Sequence, residues 1–370
     1  MLVIQKINLY FAVLFSLVIL LPKVSVISVP GFNNSVLIFD FVALILIFLL
    51  AYYRKLVFND KFLLFYCYII IVSLVSLLYL YNEQHLYRFF GLVRIFEYYI
   101  YYLAAREISP RVRHLLIKIF FYTLFTYCLY DFITHIGSFY RVSATFSGPW
   151  ELGFIMLVLY IFLDQNKEKH LNLTYLFPII IVILLTQSRI TVISFFLYFA
   201  YKYRHEYLAL IIAILFILFS FVFLSTDYIN LPQLFSSLYY NSSAFLDIFN
   251  YNYDRSLYSS EVDPSVLARF HHWHNYLLAF YETKSLLLSL IFGNGLLSKG
   301  LILDGFYIRI IVDFGFFGVI YFMYLFIRAI KIHSFRPYLL ALVVTLSAIE
   351  IVFASSAVVV FLLCVSKYKG

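Results

Sequence analysis

Apolar runs of roughly 20 residues, the length a helix needs to cross the hydrocarbon core of a bilayer, recur along the chain from Ile7 almost to its C-terminus. Clusters of charged residues, Pro, Asn or Gly separate them. The pattern predicts twelve membrane-spanning helices, at residues 7–22, 35–53, 62–81, 86–105, 115–136, 149–163, 171–187, 189–201, 206–224, 305–327, 337–352 and 354–366. Three of these runs are short, so ten or eleven spans is the alternative count.

The composition agrees with this pattern and excludes a soluble enzyme. Hydrophobic residues make up 64% of the chain and charged residues 12%, whereas an ordinary soluble domain carries about 25% charged residues. The mean hydropathy is +0.94. We therefore expect an all-α fold, a polytopic integral membrane helical bundle in which residues 1–370 form a single integral membrane domain.

The basic residues indicate how this bundle is oriented. If the N-terminus is cytoplasmic, 17 of the 27 lysines and arginines fall in short segments on the cytoplasmic side, as the positive-inside rule requires. Both termini are then cytoplasmic. Topology thus accounts for the net charge of +8, and we expect no nucleic-acid partner.

One connection is much longer than the others. We expect residues 225–304 to form a large outward-facing loop within the membrane domain. After Asp263 and Pro264, which favour a helix start, apolar residues recur at intervals of four, three, four and three: Val266, Phe270, Trp273, Leu277 and Phe280. This spacing predicts an amphipathic helix at the outer membrane surface, with Arg269, His272 and Tyr276 on its other side.

Polar side chains gather at the outer ends of the predicted spans. An ionised side chain inside a span costs about 2.5 kcal/mol or more, so it marks a function or a partner. Arg94 and Glu97 have the spacing of a helical ion pair. The remaining groups are Arg88, Asp131, His135, Arg141, Glu151, Arg189, Asp304, Arg309 and Asp313.

Four or five arginines that converge on the outer ends of different spans favour an anionic ligand. The planar guanidinium group suits phosphate or pyrophosphate. A lipid-linked pyrophosphate fits this place, because its isoprenoid tail would lie among the helices while its headgroup sits at the surface. The aromatic content of 22% supplies faces on which sugars could stack.

The sequence contains no motif for redox chemistry, metal binding or ATP hydrolysis. The three cysteines, Cys67, Cys128 and Cys364, fall within apolar runs and show no redox or metal-binding spacing. The outer loops hold no Asp-x-Asp metal pair, and the chain has no Walker loop. We expect no metal and no cofactor.

Four stretches together resemble the O-antigen polymerase and O-antigen ligase superfamily of bacterial envelope glycosyltransferases. They are Arg141–Gly153, Leu185–Arg189, Arg269–Trp273 followed by Phe292–Gly295, and Asp304–Gly318. The resemblance covers roughly residues 140 to 320 and includes the long loop. It implies a metal-independent, inverting glycosyl transfer at the periplasmic face of the bacterial inner membrane, from undecaprenyl pyrophosphate to an acceptor hydroxyl.

The resemblance also implies roles for individual residues. Arg189 and Arg269 would hold the pyrophosphate, and the convergence of arginines adds Arg141 and Arg309. Candidates for the base on the attacking hydroxyl are Asp304, Glu151 and His272, in that order. The residues expected to contact the acceptor or a sugar are Trp273, Tyr276 and Tyr307.

Three functions stay open. Ligases of the superfamily usually present a His-Asn pair where this chain has Asp304–Gly305, which favours a polymerase that extends an O-antigen or capsular polysaccharide. The histidines of the loop helix keep an O-antigen ligase, with lipid A-core as acceptor, as the alternative. A secondary transporter or lipid flippase is the third. The resemblance implies an undecaprenyl-pyrophosphate-linked oligosaccharide and membrane lipid as ligands, with a flippase and a chain-length regulator as partners.

Overall fold

The computed structural model describes residues 2–21, 25–28, 35–79, 85–136, 141–146, 148–165, 173–203, 231–258, 262, 264–296, 306–348 and 355–367. Fourteen α-helices account for most of this part of the chain. They are α1 (Leu2–Leu20), α2 (Ile38–Tyr52), α3 (Asp60–Tyr79), α4 (His85–Glu107), α5 (Pro110–Thr134), α6 (Pro149–Gln165), α7 (Leu173–Thr186), α8 (Arg189–Lys202), α9 (Leu231–Asp247), α10 (Pro264–Tyr281), α11 (Leu286–Phe292), α12 (Phe306–Lys331), α13 (Arg336–Ala348) and α14 (Ser355–Val365).

Helices occupy eleven of the twelve predicted spans, which confirms the helical character of the fold. The predicted span 206–224 lies outside the described residues, as does Asp304. The predicted amphipathic helix of the long loop is α10. The prediction was wrong at residues 35–37, because strand β2 (Ser35–Leu37) pairs there with β1 (Ser25–Ser28) in antiparallel fashion before α2 begins.

Two described helices are long and apolar enough to cross a membrane, namely α5 and α12, with 25 and 26 residues. Shorter apolar helices include α2, α7 and α14. A 14-residue helix such as α7 rises only about 21 Å at 1.5 Å per residue, which is less than the hydrocarbon thickness.

Helix α6 forms the centre of the largest hydrophobic core. Its residues from Glu151 to Leu163 are buried almost without interruption, as expected of a helix that is apolar on all sides. Its neighbours are α5, α7, α8, α13 and α14. Gly153 permits the close approach of α8, because a Cβ atom at this position would overlap the side chain of Thr191.

Polar contacts between helices cluster at the two ends of the bundle. At the N-terminal end of α2, Asp40 lies 2.9 Å from Arg94 of α4, and Arg94 also donates to Ser355 of α14 at 3.2 Å. Ser356 then donates to Glu151 of α6. We call this end, with the neighbouring loop at residues 141–146, the Arg141 end.

The opposite end of the same helices has contacts of its own, and we call it the Lys55 end. Lys55 after α2 pairs with Glu107 of α4 at 3.0 Å. Asp164 of α6 pairs with Lys202 of α8 at 2.5 Å. Arg113 of α5 donates to the carbonyl oxygens of Ala105, Ile108 and Ser366. Helices α2, α4, α6, α8 and α14 therefore run in the same direction, as spans separated by returning helices do.

Candidate functional site

The loop after α5 brings Arg141 to the break between α7 and α8. The Nε and Nη2 atoms of Arg141 donate to the carbonyl oxygens of Thr186 and Gln187, at 3.3 and 3.0 Å. The backbone N–H of Val142 donates to the carbonyl oxygen of Leu185 at 3.2 Å. Two of the stretches that carry the family resemblance are thus in direct contact.

Asp131, near the C-terminus of α5, holds this loop in shape. Its Oδ2 atom accepts hydrogen bonds from the backbone N–H groups of Ser143 and Ala144, at 3.1 and 2.8 Å. Ala144 adopts a positive φ of 49°, which is uncommon for a residue other than glycine. A carboxylate that accepts two backbone hydrogen bonds stabilises such a turn and so fixes the position of Arg141.

The break itself shapes the start of α8. Gln187 has a φ of 49°, which ends α7. The Ser188 side chain then caps α8 and accepts from the backbone N–H and the hydroxyl of Thr191, at 3.4 and 2.9 Å. Arg189 is the first residue of α8 and is exposed. The partial positive charge of a helix N-terminus adds to the charge of its side chain.

Arg141, Arg189 and Arg269 form a group that we call the arginine cluster. Partial burial, followed by the neighbouring charges of Arg189 and Arg269, lowers the pKa of the Arg141 guanidinium group from its ordinary value. Arg189, at a helix start, and Arg269, on α10, therefore each lie close enough to Arg141 to repel it. An anion bound among them would relieve this repulsion.

Helix α10 carries Arg269 and the histidines. His274 is buried, and its Nδ1 atom donates to the carbonyl oxygen of Ile248 at 2.8 Å, so this histidine fixes the turn after α9. Trp273 packs against Phe245 and Phe270. His272 is half-buried with its ring 6.3 Å from that of His271.

His271 is one of the loop-helix histidines that keep the ligase open, but it was not among the candidate bases. Burial, and then the charges of His272, Arg255 and His274, lowers its pKa below the ordinary value of 6.5. It is therefore neutral at pH 7. Asn275 contacts its Nε2 atom at 3.1 Å.

Tyr276 joins α10 to α12 through a buried ion pair. Arg309 and Asp313 lie 3.3 Å apart, with side chains 1% and 0% exposed. Arg309 donates to the Tyr276 hydroxyl at 2.5 Å, and this hydroxyl donates to Asp313 at 3.3 Å. The charge of Arg309 is thus balanced by Asp313. Its predicted contact with pyrophosphate stays a prediction, as does the contact of Tyr276 with an acceptor.

Glu151 lies at the N-terminus of α6, within the Arg141 end. It is buried, and the Ser356 hydroxyl donates to its Oε1 atom at 2.5 Å. Tyr307 is 41% exposed, and its hydroxyl donates to the carbonyl oxygen of Val343 at 2.9 Å.

The predicted pair of Arg94 and Glu97 is confirmed at 3.4 Å. Among the described residues, no group of three or more His, Cys, Asp or Glu side chains could hold a metal ion.

Helix α12 is interrupted at Gly315, beside the ion pair of Arg309 and Asp313. Gly315 has a φ of 59° inside α12. The turn after α11 fills the gap, with the N–H groups of Asn294 and Gly295 donating to the carbonyl oxygens of Val312 and Asp313, at 2.7 and 3.0 Å. Carbonyl groups that leave the helical hydrogen-bond pattern are thereby satisfied. The family resemblance includes both Phe292–Gly295 and Asp304–Gly318. No pattern in these residues predicted that the two stretches are hydrogen-bonded to each other.

Comparisons with protein-family models, with curated proteins and with solved structures find no match to this chain.

Proposed function

We propose that the chain is a glycosyltransferase of the bacterial inner membrane that polymerises an O-antigen or capsular polysaccharide. It transfers the glycan of one undecaprenyl pyrophosphate to a hydroxyl group on another lipid-linked repeat unit, with inversion and without a metal ion. The Arg141 end faces the periplasm, and the Lys55 end and both termini face the cytoplasm.

The two-ended arrangement of polar contacts supports a bundle of about twelve spans. The parallel direction of α2, α4, α6, α8 and α14 is what alternating spans require. Large apolar side chains cover the flanks between the ends, such as Phe48 and Leu64, which are 74% and 72% exposed. Exposed apolar surface of this kind is costly in water and is expected against lipid.

The arginine cluster is the observation that carries the proposal. A lipid pyrophosphate spreads its negative charge over several oxygen atoms, and the planar fork of arginine matches that geometry. Carbonyl groups hold the guanidinium group of Arg141, and the Ser188 cap fixes the backbone of α8 at Arg189, so the site is largely in place before the ligand arrives. Such preorganised charge stabilises the negative charge that develops on the leaving pyrophosphate.

Transfer requires one bond to form and one to break at the anomeric carbon. The acceptor oxygen attacks this carbon from the face opposite the pyrophosphate, the bond from carbon to the pyrophosphate oxygen breaks, and the hydroxyl proton passes to a base. Glu151, in the first turn of α6 at the Arg141 end, is a candidate for this base. Asp304 and His272 are the other candidates. Trp273 and Tyr307 would contact sugar rings.

The experiment is an assay of purified protein in detergent, supplied with undecaprenyl-pyrophosphate-linked repeat units from its own cell. We expect longer lipid-linked glycans from the wild type and a loss of roughly 10²-fold in rate for Arg141→Gln, Arg189→Gln or Arg269→Gln. Arg111→Gln is the matched control, since Arg111 is an exposed arginine in the first turn of α5 at the other end.

Other outcomes would assign other functions. Transfer of preformed glycan only when lipid A-core is supplied would establish the ligase. If the wild type elongates nothing and transfers nothing, the glycosyltransferase proposal fails. A flippase and a chain-length regulator would be the partners of a polymerase in the cell.

A secondary transporter or lipid flippase is the second candidate, and the interrupted α12 favours it. Transporters often place broken helices and charged groups near the middle of the membrane, and α12 breaks at Gly315 beside the pair of Arg309 and Asp313. Uptake or lipid translocation by proteoliposomes, without change in glycan length, would support this candidate.

A further inference from the structure

The Lys55 end contains a cavity that glycan transfer at the Arg141 end does not use. Its volume is about 260 Å³, and it lies between the loop after α2, the start of α3 and the C-terminal turn of α4. Pockets for drug-sized ligands occupy about 300–1,000 Å³. This cavity therefore suits a smaller polar group.

The wall of the cavity is built in advance by Tyr99. Its hydroxyl accepts from the backbone N–H of Asn59 at 2.8 Å and donates to the carbonyl oxygen of Val57 at 2.9 Å. Its ring stacks on those of Phe62 and Phe58, with centroids 3.7 and 6.0 Å away. The loop is thus fixed before any ligand binds, which lowers the entropy cost of binding.

The charges that line the cavity are balanced but not all paired. Lys55 and Glu107 pair with each other at 3.0 Å. The guanidinium group of Arg106 lies over the ring of Tyr102 at 5.4 Å. Within the part of the chain that the structure describes, neither Arg106 nor Asp60 makes an ion pair. The cavity thus offers one cation and one anion to a ligand.

The rim of the cavity is apolar. Val57 and Phe58, which line the cavity, are 52% and 38% exposed, and Tyr52, three residues before Lys55 in the chain, is 79% exposed. Tyrosine is enriched where lipid headgroups meet the hydrocarbon core. A ligand with a polar head and a hydrocarbon tail could place its tail against this rim while its head enters the cavity.

We propose that the cavity binds the phosphoethanolamine headgroup of a phospholipid from the cytoplasmic leaflet. Arg106 binds the phosphate, and Asp60 accepts hydrogen bonds from the primary ammonium group. A glycerol headgroup offers Asp60 only neutral hydroxyl donors, and a quaternary ammonium group cannot donate to it at all. The proposal rests on the membrane placement proposed above and not on glycosyl transfer.

The test is native mass spectrometry of delipidated protein with phosphatidylethanolamine, phosphatidylcholine and phosphatidylglycerol of matched acyl chains. We expect the wild type to bind the ethanolamine lipid about tenfold more tightly than the other two, the effect of one hydrogen bond to a charged group. Asp60→Asn should remove this preference. Arg106→Gln should weaken binding of all three lipids about tenfold, whereas Arg111→Gln should not.

Equal binding of the three lipids by the wild type would overturn the proposal. So would an equal loss in Arg111→Gln. If free phosphoethanolamine binds as tightly as the lipid, the ligand is water-soluble and the lipid assignment fails. Release of the protein from membranes by alkaline carbonate would instead show that the membrane placement itself is wrong, and unfolding temperatures of each variant will exclude misfolding.

Discussion

At the scale of single residues, the position of Arg141 depends on Asp131. One carboxylate oxygen accepts from the backbone N–H groups of Ser143 and Ala144. From the sequence, Asp131 was expected only at the outer end of a span. Its positioning role was not predictable, because its partners are backbone N–H groups that almost any residue would supply. The contact makes Asp131 a positioning residue for the arginine cluster.

Replacing Asp131 tests this dependence. Asp131→Ala leaves two N–H groups without their acceptor, and we expect it to weaken donor binding about tenfold or more, since an unmade hydrogen bond to a charged group costs about 1.5–3 kcal/mol. Asp131→Asn keeps an acceptor oxygen and should restore most of the affinity. Initial rates at several donor concentrations will separate KM from kcat. Equal affinity in Asp131→Ala and the wild type would contradict this role.

Tyr276 is the residue that ties α10 to α12. Tyr276→Phe removes the hydroxyl that bridges Arg309 and Asp313 inside a buried site. We expect a loss of about 1–3 kcal/mol in the free energy of unfolding, visible as a lower unfolding temperature in detergent. Tyr281→Phe is the control, because Tyr281 is 54% exposed and bonds only to the carbonyl oxygen of Phe249 among its described partners. Equal unfolding temperatures for the two variants would show that the bridge contributes nothing.

At the scale of helices, Gly153 governs the packing of α6 against α8. A Cβ atom there would overlap the Thr191 hydroxyl, and Thr191 also bonds to the Ser188 cap beside Arg189. We expect Gly153→Ala to destabilise the protein by about 1–3 kcal/mol through overpacking. The double variant with Thr191→Ala should recover part of this loss. Additive effects of the two changes, measured by thermal unfolding, would mean that the helices do not meet here.

Much of the helical pattern was predictable from the sequence, for physical reasons. Long apolar runs leave the backbone few alternatives to helix, and Pro149 and Ser188 mark helix starts that the structure has. The strand at residues 35–37 was not predictable, because three residues are too few to show a period that separates strand from helix. Contacts between distant segments, such as Ser356 with Glu151, leave no local signal at all.

At the scale of the whole molecule, the two ends of the bundle should lie on opposite sides of a membrane. Leu257, which is 70% exposed, lies in the long loop, and Arg111 lies at the Lys55 end. In a variant without the native cysteines, we expect Leu257→Cys to react with a membrane-impermeant thiol reagent added to spheroplasts. Arg111→Cys should react only after the membrane is permeabilised. Reaction of both cysteines from the same side would contradict the orientation.

The candidate site was predictable only in part at this scale. The convergence of arginines was expected from their shared position at the ends of spans, and Arg141 does lie within the electrostatic reach of Arg189 and Arg269. The sequence did not show that Arg309 is buried against Asp313. That burial depends on the packing of α10 against α12, which no local pattern reveals.

The most direct test of the central claim measures binding of undecaprenyl pyrophosphate to the purified protein. We predict that the wild type binds the pyrophosphate more tightly than undecaprenyl monophosphate. Arg141→Gln and Arg269→Gln should each weaken this binding about tenfold or more, the effect of one lost charge-assisted contact. Arg111→Gln should bind as the wild type does. Unchanged affinity in both cluster variants, with unfolding temperatures like that of the wild type, would contradict the claim that the arginine cluster holds the donor.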